Sequence, residues 1–338
     1  MAIKHRSMAL IVCAAASLLV ACSSHSAPPP SPPRACTLSA ELVPSCGVIF
    51  GIQTDPPTID KLHEVEATLA TRFPMVHRFH DLADPIPSDD ERALLADGRI
   101  LQISIDARFY GRPDDIVTWA DVASGKYDAE LRAQARGIAS LRKPVFLTFD
   151  HEPDLPRRAG LGTPSQYAAA WRHTHNLFEA AGATNAIWVW VVTGSPTTED
   201  FAARTWPGNA YVDWISWESY NASGCREDDV DPAKFHSFSE TTLTFLHYLR
   251  TVHERLGIDL NKPMMISEAG SVLYPDDPGL TAKWYAQMGE VLADHPQIKA
   301  IGLWDRSGTA SCDYQFDTSP TVVQAFRASA DEIAFTHS

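Results

Sequence analysis

Eight short apolar runs follow one another along the chain from residue 46 onward, and amphipathic stretches separate them. The runs are rich in Val, Ile and Phe, a composition typical of parallel strands that are buried on both faces. A strand followed by a helix, eight times over, predicts an α/β fold of the (β/α)8 TIM-barrel type. The predicted strands are Val48–Ile52, Met75–Phe79, Ile100–Ile105, Val145–Phe149, Ile187–Val192, Val212–Trp217, Met264–Ser267 and Lys299–Leu303.

The stretches between these strands carry apolar residues at helical spacing. A doubly wound open sheet is the alternative architecture, but no glycine-rich phosphate loop follows the first strand. The chain length of 338 residues suits one barrel, which we place at residues 46–336. The clearest helical stretches are Thr58–Arg72, Ser165–Ala181, Phe238–Leu256, Thr281–Ala293 and Thr321–Ile333.

The N-terminal residues 1–21 have the pattern of an export signal. Lys4 and Arg6 precede an apolar run, Met8–Val20, that is too short to span a bilayer as a stable helix. The run ends in Ala21-Cys22 and resembles a bacterial lipobox, which predicts lipidation of Cys22. An ordinary secretory signal cut near Ala21 is the alternative.

A Ser/Pro-rich stretch within residues 22–45 then predicts a spacer between the lipid anchor and the barrel. The sequence thus predicts an exported protein that is held at the cell membrane or cell surface by its N-terminal lipid alone.

Four cysteines remain beyond the signal and the anchor, an even number that favours two disulfides in an exported protein. We expect the pairs Cys36–Cys46 and Cys225–Cys312, and four free thiols are the alternative. A metal site is not expected, because the chain has no C-x-x-C pair. The net charge of −14 and the lack of a basic run argue against a nucleic-acid partner, while the oligomeric state is left open.

Polar residues gather where the predicted strands end, which in a β/α barrel is the end that carries the active site. Side chains alternate between the two faces of a strand, so Thr148, Asp150 and Glu152 are expected to point into the barrel mouth. Asp106 and His80 are assigned to the site on position alone, and each could contact substrate or support a residue that does. The residues that we take as candidates at these strand ends are His80, Asp106, His151, Glu152, Trp190, Tyr220, Glu268 and Trp304.

Glu152 and Glu268 follow the fourth and seventh strands and so face each other across the mouth. Retaining glycosidases need two carboxyl groups about 5–5.5 Å apart, one as acid/base and one as nucleophile. Aromatic rings that stack on sugars are also at hand: Trp304 is expected to be a platform, whereas Trp190 could equally be core. No metal or organic cofactor is implied.

These segments resemble glycoside hydrolase family 26, over roughly residues 46–326. His151-Glu152 resembles the His-Glu acid/base pair of the family, and KPMMISEAGS resembles its nucleophile segment. The resemblance implies that Glu152 is the acid/base, Glu268 the nucleophile and Tyr220 the residue that orients Glu268. It also implies that Trp304 floors the subsite at the cleaved bond. His151 would either bind the sugar or orient Glu152.

The resemblance implies a retaining endo-β-glycanase that acts on β-linked polysaccharide by double displacement, with mannan as the first substrate to consider. The segment after the acid/base, PDLPRRAGLGTP, lacks the tryptophans typical of the family mannanases. Arg157 and Arg158 in that segment raise the hypothesis of a substrate with acidic groups. The alternatives are a non-catalytic glycan-binding or exopolysaccharide-associated lipoprotein on the same barrel, and a hydrolase of another family in the same clan.

Overall fold

A computed structural model describes residues 36–307, 312–331 and 333–334, and the predicted signal and Cys22 lie outside the described residues. Eight parallel strands pair in chain order, and the last closes onto the first, so the predicted (β/α)8 barrel is confirmed. The strands are β1 (Ile49–Thr54), β2 (Met75–His80), β3 (Ile100–Ile105), β4 (Val145–Phe149), β5 (Ala186–Val192), β6 (Trp214–Asn221), β7 (Met264–Ser271) and β8 (Ile298–Asp305).

Helices on the outside of the barrel join the strands. Their starts carry the expected caps: the side chains of Ser88, Thr163 and Ser237 each accept a backbone N–H, and each takes part in a reciprocal capping box. Of the helices in the described ranges, none is both long and apolar enough to cross a bilayer. They are α1 (Ile59–Leu69), α2 (Asp89–Ala96), α3 (Trp119–Ala123), α4 (Asp128–Leu141), α5 (Pro164–Ala180), α6 (Glu199–Arg204), α7 (Phe238–Leu256), α8 (Pro278–Ala286), α9 (Met288–Asp294) and α10 (Pro320–Ala330).

The last three strands run further toward their C-terminal ends than the apolar pattern predicts. β6 continues to Asn221 and β7 to Ser271, so the polar residues that follow the apolar runs are still held in the sheet. β8 packs closely on β7 here: a Cβ on Gly302 would meet the carbonyl oxygen of Ser267 at 2.3 Å. Residues in these strand ends therefore have fixed directions, which sets the geometry at the C-terminal end of the barrel.

The segment 36–45 closes the N-terminal end of the barrel. Leu42 packs among inward-facing residues such as Ile49 and Met265, and the indole of Trp214 donates a 2.9 Å hydrogen bond to the carbonyl of Glu41. The predicted disulfide Cys36–Cys46 is present and closes this segment into a loop. The folded body thus includes ten residues that the sequence pattern assigns to the linker, because their few apolar side chains cap the barrel interior.

The second predicted disulfide, Cys225–Cys312, is also present and lies at the opposite end of the barrel. It joins the loop after β6 to the loop after β8, across 87 residues of sequence. Both cysteines are buried with Val272, Tyr274 and Tyr314 in a small apolar cluster separate from the main core. The bond therefore ties together two of the loops that surround the barrel mouth.

Candidate active site

An open cleft of about 1250 Å³ lies at the C-terminal ends of the strands. Glu152 and Glu268 both line it, together with His151, Tyr220 and Trp304. With Asp106, which also lines the cleft, the fold thus brings six of the eight sequence candidates to one surface, at the end of the barrel where such folds place their chemistry.

The backbone turns sharply where β4 ends, and this turn sets the direction of the acid/base candidate. Asp150 and Glu152 both adopt left-handed conformations, with φ of 48° and 53°. Residues other than glycine rarely adopt this region, at a cost of roughly 1–3 kcal/mol each, unless the surroundings enforce it. Here the carboxylate of Asp150 enforces it, since it accepts hydrogen bonds from the Trp119 indole (2.6 Å) and the Ala107 amide (3.0 Å).

This turn makes the expected direction of Asp150 wrong. Simple strand alternation predicts that Asp150 and Glu152 point into the mouth together, but the left-handed turn shifts the alternation by one residue. Asp150 is fully buried against α3 and pairs with Arg158, whereas His151 points into the barrel. Glu152 still lines the cleft because its own left-handed conformation turns the chain a second time.

Glu152 is a carboxyl group without a hydrogen-bond donor among the described residues. Its side chain is 16% exposed, and its nearest cation is Arg157, with Nη2 3.9 Å from Oε2. Burial raises its pKa above the ordinary glutamate value, Arg157 partly offsets this shift, and Asp154 adds to it. A glutamate of this kind holds its proton at a higher pH than usual, as a general acid requires.

Glu268 lies on β7 and has the partner that Glu152 lacks. The Tyr220 hydroxyl, from the end of β6, donates a hydrogen bond of 2.8 Å to Oε2 of Glu268. Burial raises the pKa of Glu268, the nearby Glu152 raises it further, and the Tyr220 hydrogen bond lowers it. Burial also raises the pKa of Tyr220 well above its ordinary value, so Tyr220 stays a donor. The pKa of Glu268 is raised no less than that of Glu152, so the feature that distinguishes Glu268 within the pair is the hydrogen bond that its carboxylate accepts from Tyr220.

A third carboxyl group, Glu218, lies beside these two and was not among the predicted site residues. Glu218 and Glu268 are register partners on β6 and β7, next to an irregularity in the pairing after Trp217. Glu218 is 4% exposed, and neither of its carboxyl oxygens has a hydrogen-bond partner in the part of the chain that the structure describes. Burial raises its pKa well above the ordinary value, and Glu268 and Glu152 raise it further. The sequence signal was available, because Glu218 is two residues from Tyr220 and shares its face of the strand.

His151 lies between the carboxyl groups. Its Nε2 is 3.2 Å from Oε1 of Glu218 and 3.5 Å from Oε1 of Glu268, and its Nδ1 is 3.3 Å from the Ser104 hydroxyl. Burial lowers the pKa of His151 well below its ordinary value, and so does the charge of Arg158, so the ring is neutral near pH 7. These are therefore polar contacts of a neutral ring and not ion pairs.

The side chains of His151, Glu152 and Glu218 together have the geometry to hold a cation. One ligand atom from each of His151, Glu152 and Glu218 lies within 4.8 Å of the others. Imidazole and carboxylate are donors that several divalent metals accept. In the alternative, protons rather than a metal neutralise these crowded carboxyl groups. The raised pKa values of Glu152 and Glu218 are those expected in that case.

Trp304, near the end of β8, is partly exposed and lines the cleft, as a stacking platform would. The guanidinium of Arg306 lies 5.1 Å from the centre of its ring. Tyr220 meets the Trp304 ring edge-on, with ring centres 6.5 Å apart. An aromatic surface thus adjoins Glu268, as expected for a site that binds the apolar face of a sugar.

Asp106 also reaches the cleft, but its carboxylate is already paired. Oδ1 lies 3.0 Å from Nη2 of Arg158, and Oδ2 lies 2.8 Å from Nη2 of Arg108. Arg158 is 4% exposed and spans Asp106 and Asp150. Arg157, by contrast, has a side chain that is 64% exposed. Of the two arginines raised as substrate contacts, Arg157 alone is free to meet a ligand from solvent.

Two sequence candidates do not reach the cleft. Trp190 is fully buried on the outer side of β5, where its indole donates to the Thr205 hydroxyl at 3.0 Å and its ring meets Trp206. His80 points toward α2 and contacts Glu91 at 2.7 Å. Trp190 is therefore core, the alternative left open above, and His80 does not contact the cleft, because both residues occupy the outward-facing positions of their strands, between the barrel and its helices.

Comparison with known proteins agrees with this geometry. The sequence model of Glycosyl hydrolase family 26 matches residues 157–244. That segment contains Glu218 and Tyr220 and follows directly on the turn at Glu152. The chain is therefore similar to glycoside hydrolase family 26 over this segment, and Glu152 and Glu268 lie on either side of it.

Individual relatives of the chain are distant. Endoglucanase H of Acetivibrio thermocellus is 24% identical over 83% of the chain, and β-1,3-xylanase TXYA of a Vibrio species is 24% identical over 53%. The aligned parts are 30% and 38% of the lengths of those two proteins, so the chain matches about a third of each. The catalytic domain of an endo-β-1,4-mannanase from Bacillus sp. JAMB-750 has the same fold, with a TM-score of 0.61 and 16% identity over 85% of this chain and 87% of that one.

Proposed function

We propose that the chain is a retaining endo-β-glycanase that hydrolyses β-linked polysaccharide by double displacement. The observation that carries the proposal is the unequal pair of carboxyl groups in the cleft. Burial raises the pKa of both groups, but Glu268 accepts a hydrogen bond from Tyr220 that favours its anion, whereas Glu152 has no such donor among the described residues. This inequality is what an ionised nucleophile and a protonated acid require.

The proposed reaction has two steps. Glu268 attacks the anomeric carbon of the sugar while the carboxylic acid of Glu152 gives its proton to the departing glycosidic oxygen. Glu152, now a carboxylate, then removes a proton from water, and the water oxygen displaces Glu268 from the anomeric carbon. The configuration at that carbon is inverted twice and so is retained.

Three features support the other roles in this scheme. Tyr220 orients Glu268 through its 2.8 Å hydrogen bond, and Trp304 provides an aromatic surface for the sugar beside the cleaved bond. Neutral His151 is placed to hold the carboxyl groups apart without adding a charge. The names of the relatives cover glucan, xylan and mannan, so we propose a β-glycan as the substrate class and mannan as the first member to test.

The test is a reducing-end release assay on mannan, mixed-linkage β-glucan, β-1,3-xylan and β-1,4-xylan. We expect the wild type to release reducing ends from at least one glycan, and Glu268→Ala to release none. We expect Glu152→Ala to lose about 10²–10⁴-fold on polysaccharide but far less on an aryl glycoside with a good leaving group, since such a substrate needs no proton. Binding of the glycans without release would instead support the glycan-binding lipoprotein.

We also propose that the protein is exported and anchored through a lipid on Cys22. The two disulfides support export, because such bonds persist in oxidising compartments. Labelled palmitate should be incorporated into the wild-type protein, recovered from the membrane fraction, and not into Cys22→Ser. If the label were equal in the two, the anchor would be excluded and the ordinary secretory signal would remain.

A further inference from the structure

Among the described residues, six arginines line the cleft, although the chain has a net charge of −14. Three of them form ion pairs within the protein. Arg78 pairs with Asp90 at 2.9 Å, and Arg108 and Arg158 pair with the buried carboxylates of Asp106 and Asp150. The other three, which we call the cleft arginines, are Arg157, Arg226 and Arg306.

Each cleft arginine adjoins one part of the catalytic apparatus. Arg157 lies 3.9 Å from the carboxyl group of Glu152. Arg226 lies 5.6 Å from the centre of the Tyr220 ring, and Arg306 lies 5.1 Å from the centre of the Trp304 ring. The three therefore surround the place where the cleaved bond would lie, on the loops after β4, β6 and β8.

The cleft arginines are also open to a ligand. Arg157 and Arg226 are exposed, and the side chain of Arg306 is 28% exposed, at 3.5 Å from a partly exposed Asp55. A guanidinium group presents a planar fork of N–H donors that matches a carboxylate with two parallel hydrogen bonds. A neutral sugar has no anionic group to accept both of these hydrogen bonds. Aromatic stacking and uncharged hydrogen-bond donors are sufficient to bind such a sugar.

From this arrangement we propose that the preferred substrate is a β-linked glycan whose sugar units carry carboxylate groups, and that Arg157, Arg226 and Arg306 bind those groups. The inference rests on the proposed glycanase function and specifies its substrate class. The positive charges would draw an acidic polymer toward a protein that otherwise repels it.

The same arginines could instead act only on the two catalytic glutamates, since Arg157 and Arg226 lower the pKa of Glu152, and Arg306 and Arg157 lower that of Glu268. The two roles predict different results. Arginines that act only on the glutamates would affect neutral and acidic substrates equally, whereas arginines that bind carboxylates would affect acidic substrates alone or far more strongly.

The experiment uses pairs of substrates that differ only in charge. Glucuronoxylan, carboxymethyl mannan and carboxymethyl β-glucan would each be compared with the same polymer after chemical reduction of its carboxyl groups to alcohols. The enzymes would be the wild type, the triple variant Arg157→Gln/Arg226→Gln/Arg306→Gln, and Arg132→Gln as the control. Arg132 pairs with Asp128 on α4, away from the cleft, and its substitution removes one positive charge.

We expect the wild type to have a kcat/KM at least about tenfold higher on an acidic polymer than on its reduced form. A factor of about ten corresponds to the free energy of one charge-assisted hydrogen bond. The preference should fall as salt rises from about 0.05 to 0.5 M, because screening shortens the reach of the charges. It should disappear in the triple variant and persist in Arg132→Gln. If the triple variant does not fold, as judged by thermal unfolding, the three single variants should each reduce the preference.

Equal kcat/KM of the wild type on acidic and reduced polymers, or cleavage of the reduced forms alone, would overturn this inference and leave the glycanase function intact. An equal loss on both members of a pair in the triple variant would also overturn it. Failure to release reducing ends from any polymer, charged or neutral, would overturn the glycanase function itself.

Discussion

The Tyr220 hydroxyl lies 2.8 Å from one carboxyl oxygen of Glu268 and donates to it. The two residues come from adjacent strands, and the pairing of Glu218 with Glu268 in the sheet fixes how far Tyr220 extends beyond them. This hydrogen bond is the main local difference between two otherwise similar buried carboxyl groups. The assignment of nucleophile and acid therefore depends on it.

Replacing Tyr220 with phenylalanine should lower kcat/KM by about tenfold to a hundredfold, the value of one hydrogen bond to a charged group. The pKa of Glu268 should rise, because its anion loses a donor, so the acidic limb of the pH–rate profile should move to higher pH. Profiles of the wild type and Tyr220→Phe test this. Tyr248→Phe, on the outer helix α7, serves as the control, and an unmoved acidic limb in Tyr220→Phe would contradict the orienting role.

The alkaline limb of the same profile should report the proton on Glu152. Burial raises the pKa of Glu152 above its ordinary value, so activity should persist well above pH 4.5 and fall only as the pH passes the raised pKa. Arg157 lowers that pKa, so its removal in Arg157→Gln should move the alkaline limb to still higher pH. A shift to lower pH, or an equal shift in Arg132→Gln, would count against Glu152 as the acid.

Relative to wild type, Glu218→Gln should gain stability as the pH rises above about 5, by about 1.4 kcal/mol for each pH unit up to the raised pKa of Glu218, because glutamine releases no proton on unfolding. The native pKa of Glu218 is raised well above the ordinary value of 4.5. Below pH 4.5 the folded and unfolded states both carry the proton, so this carboxyl group leaves stability unaffected. Above it the unfolded state releases the proton while the folded state must retain it, so wild-type stability falls as pH rises.

Thermal unfolding at pH 4 and pH 7.5 tests this sign. The difference in Tm between Glu218→Gln and wild type should be larger at pH 7.5. Glu254→Gln, at an exposed position on α7, should behave like wild type at both values. A Tm for Glu218→Gln that lies below the wild type at pH 7.5 would show that the Glu218 carboxylate has a partner essential for stability.

Arg158→Met should destabilise the protein by about 3–5 kcal/mol, because it leaves Asp150 as a buried carboxylate without its cation and Asp106 with Arg108 alone. Arg157→Met, one residue away but exposed, should stay within about 0.5 kcal/mol of wild type. Chemical denaturation separates the two. Equal stability of the two variants would mean that Arg158 is not the structural cation between the two aspartates.

The fold was accessible from sequence because buried parallel strands and amphipathic helices each leave a periodic apolar pattern. Two disulfide pairs were also predicted correctly, since few cysteines remained to be matched. The pattern was weakest where strands end: Asp150 was misplaced because a left-handed backbone conformation leaves no trace in the apolar pattern. Glu218 was overlooked for a related reason, as it follows the apolar run but is still held within β6.

The two misplaced binding residues illustrate a further limit. Trp190 and His80 are residue types that often bind sugars, and both follow or lie near the end of a strand. Whether such a side chain faces the barrel axis or the surrounding helices depends on which residues of the strand point inward, and the apolar pattern does not fix this to the residue. An error of one position sends the side chain to the other side of the sheet.

The Cys225–Cys312 disulfide has a mechanical consequence for the cleft. It joins the loop that carries Arg226 to the segment at Cys312, so these two parts of the cleft wall are covalently tied to each other. We expect any adjustment of the cleft to a polymer to occur at the opposite wall, formed by the loops after β3 and β4, where Tyr110 and Arg157 are exposed. The wall on the β6 and β8 side is thus constrained by the disulfide, and the wall on the β3 and β4 side is the one expected to adapt to the width of the glycan.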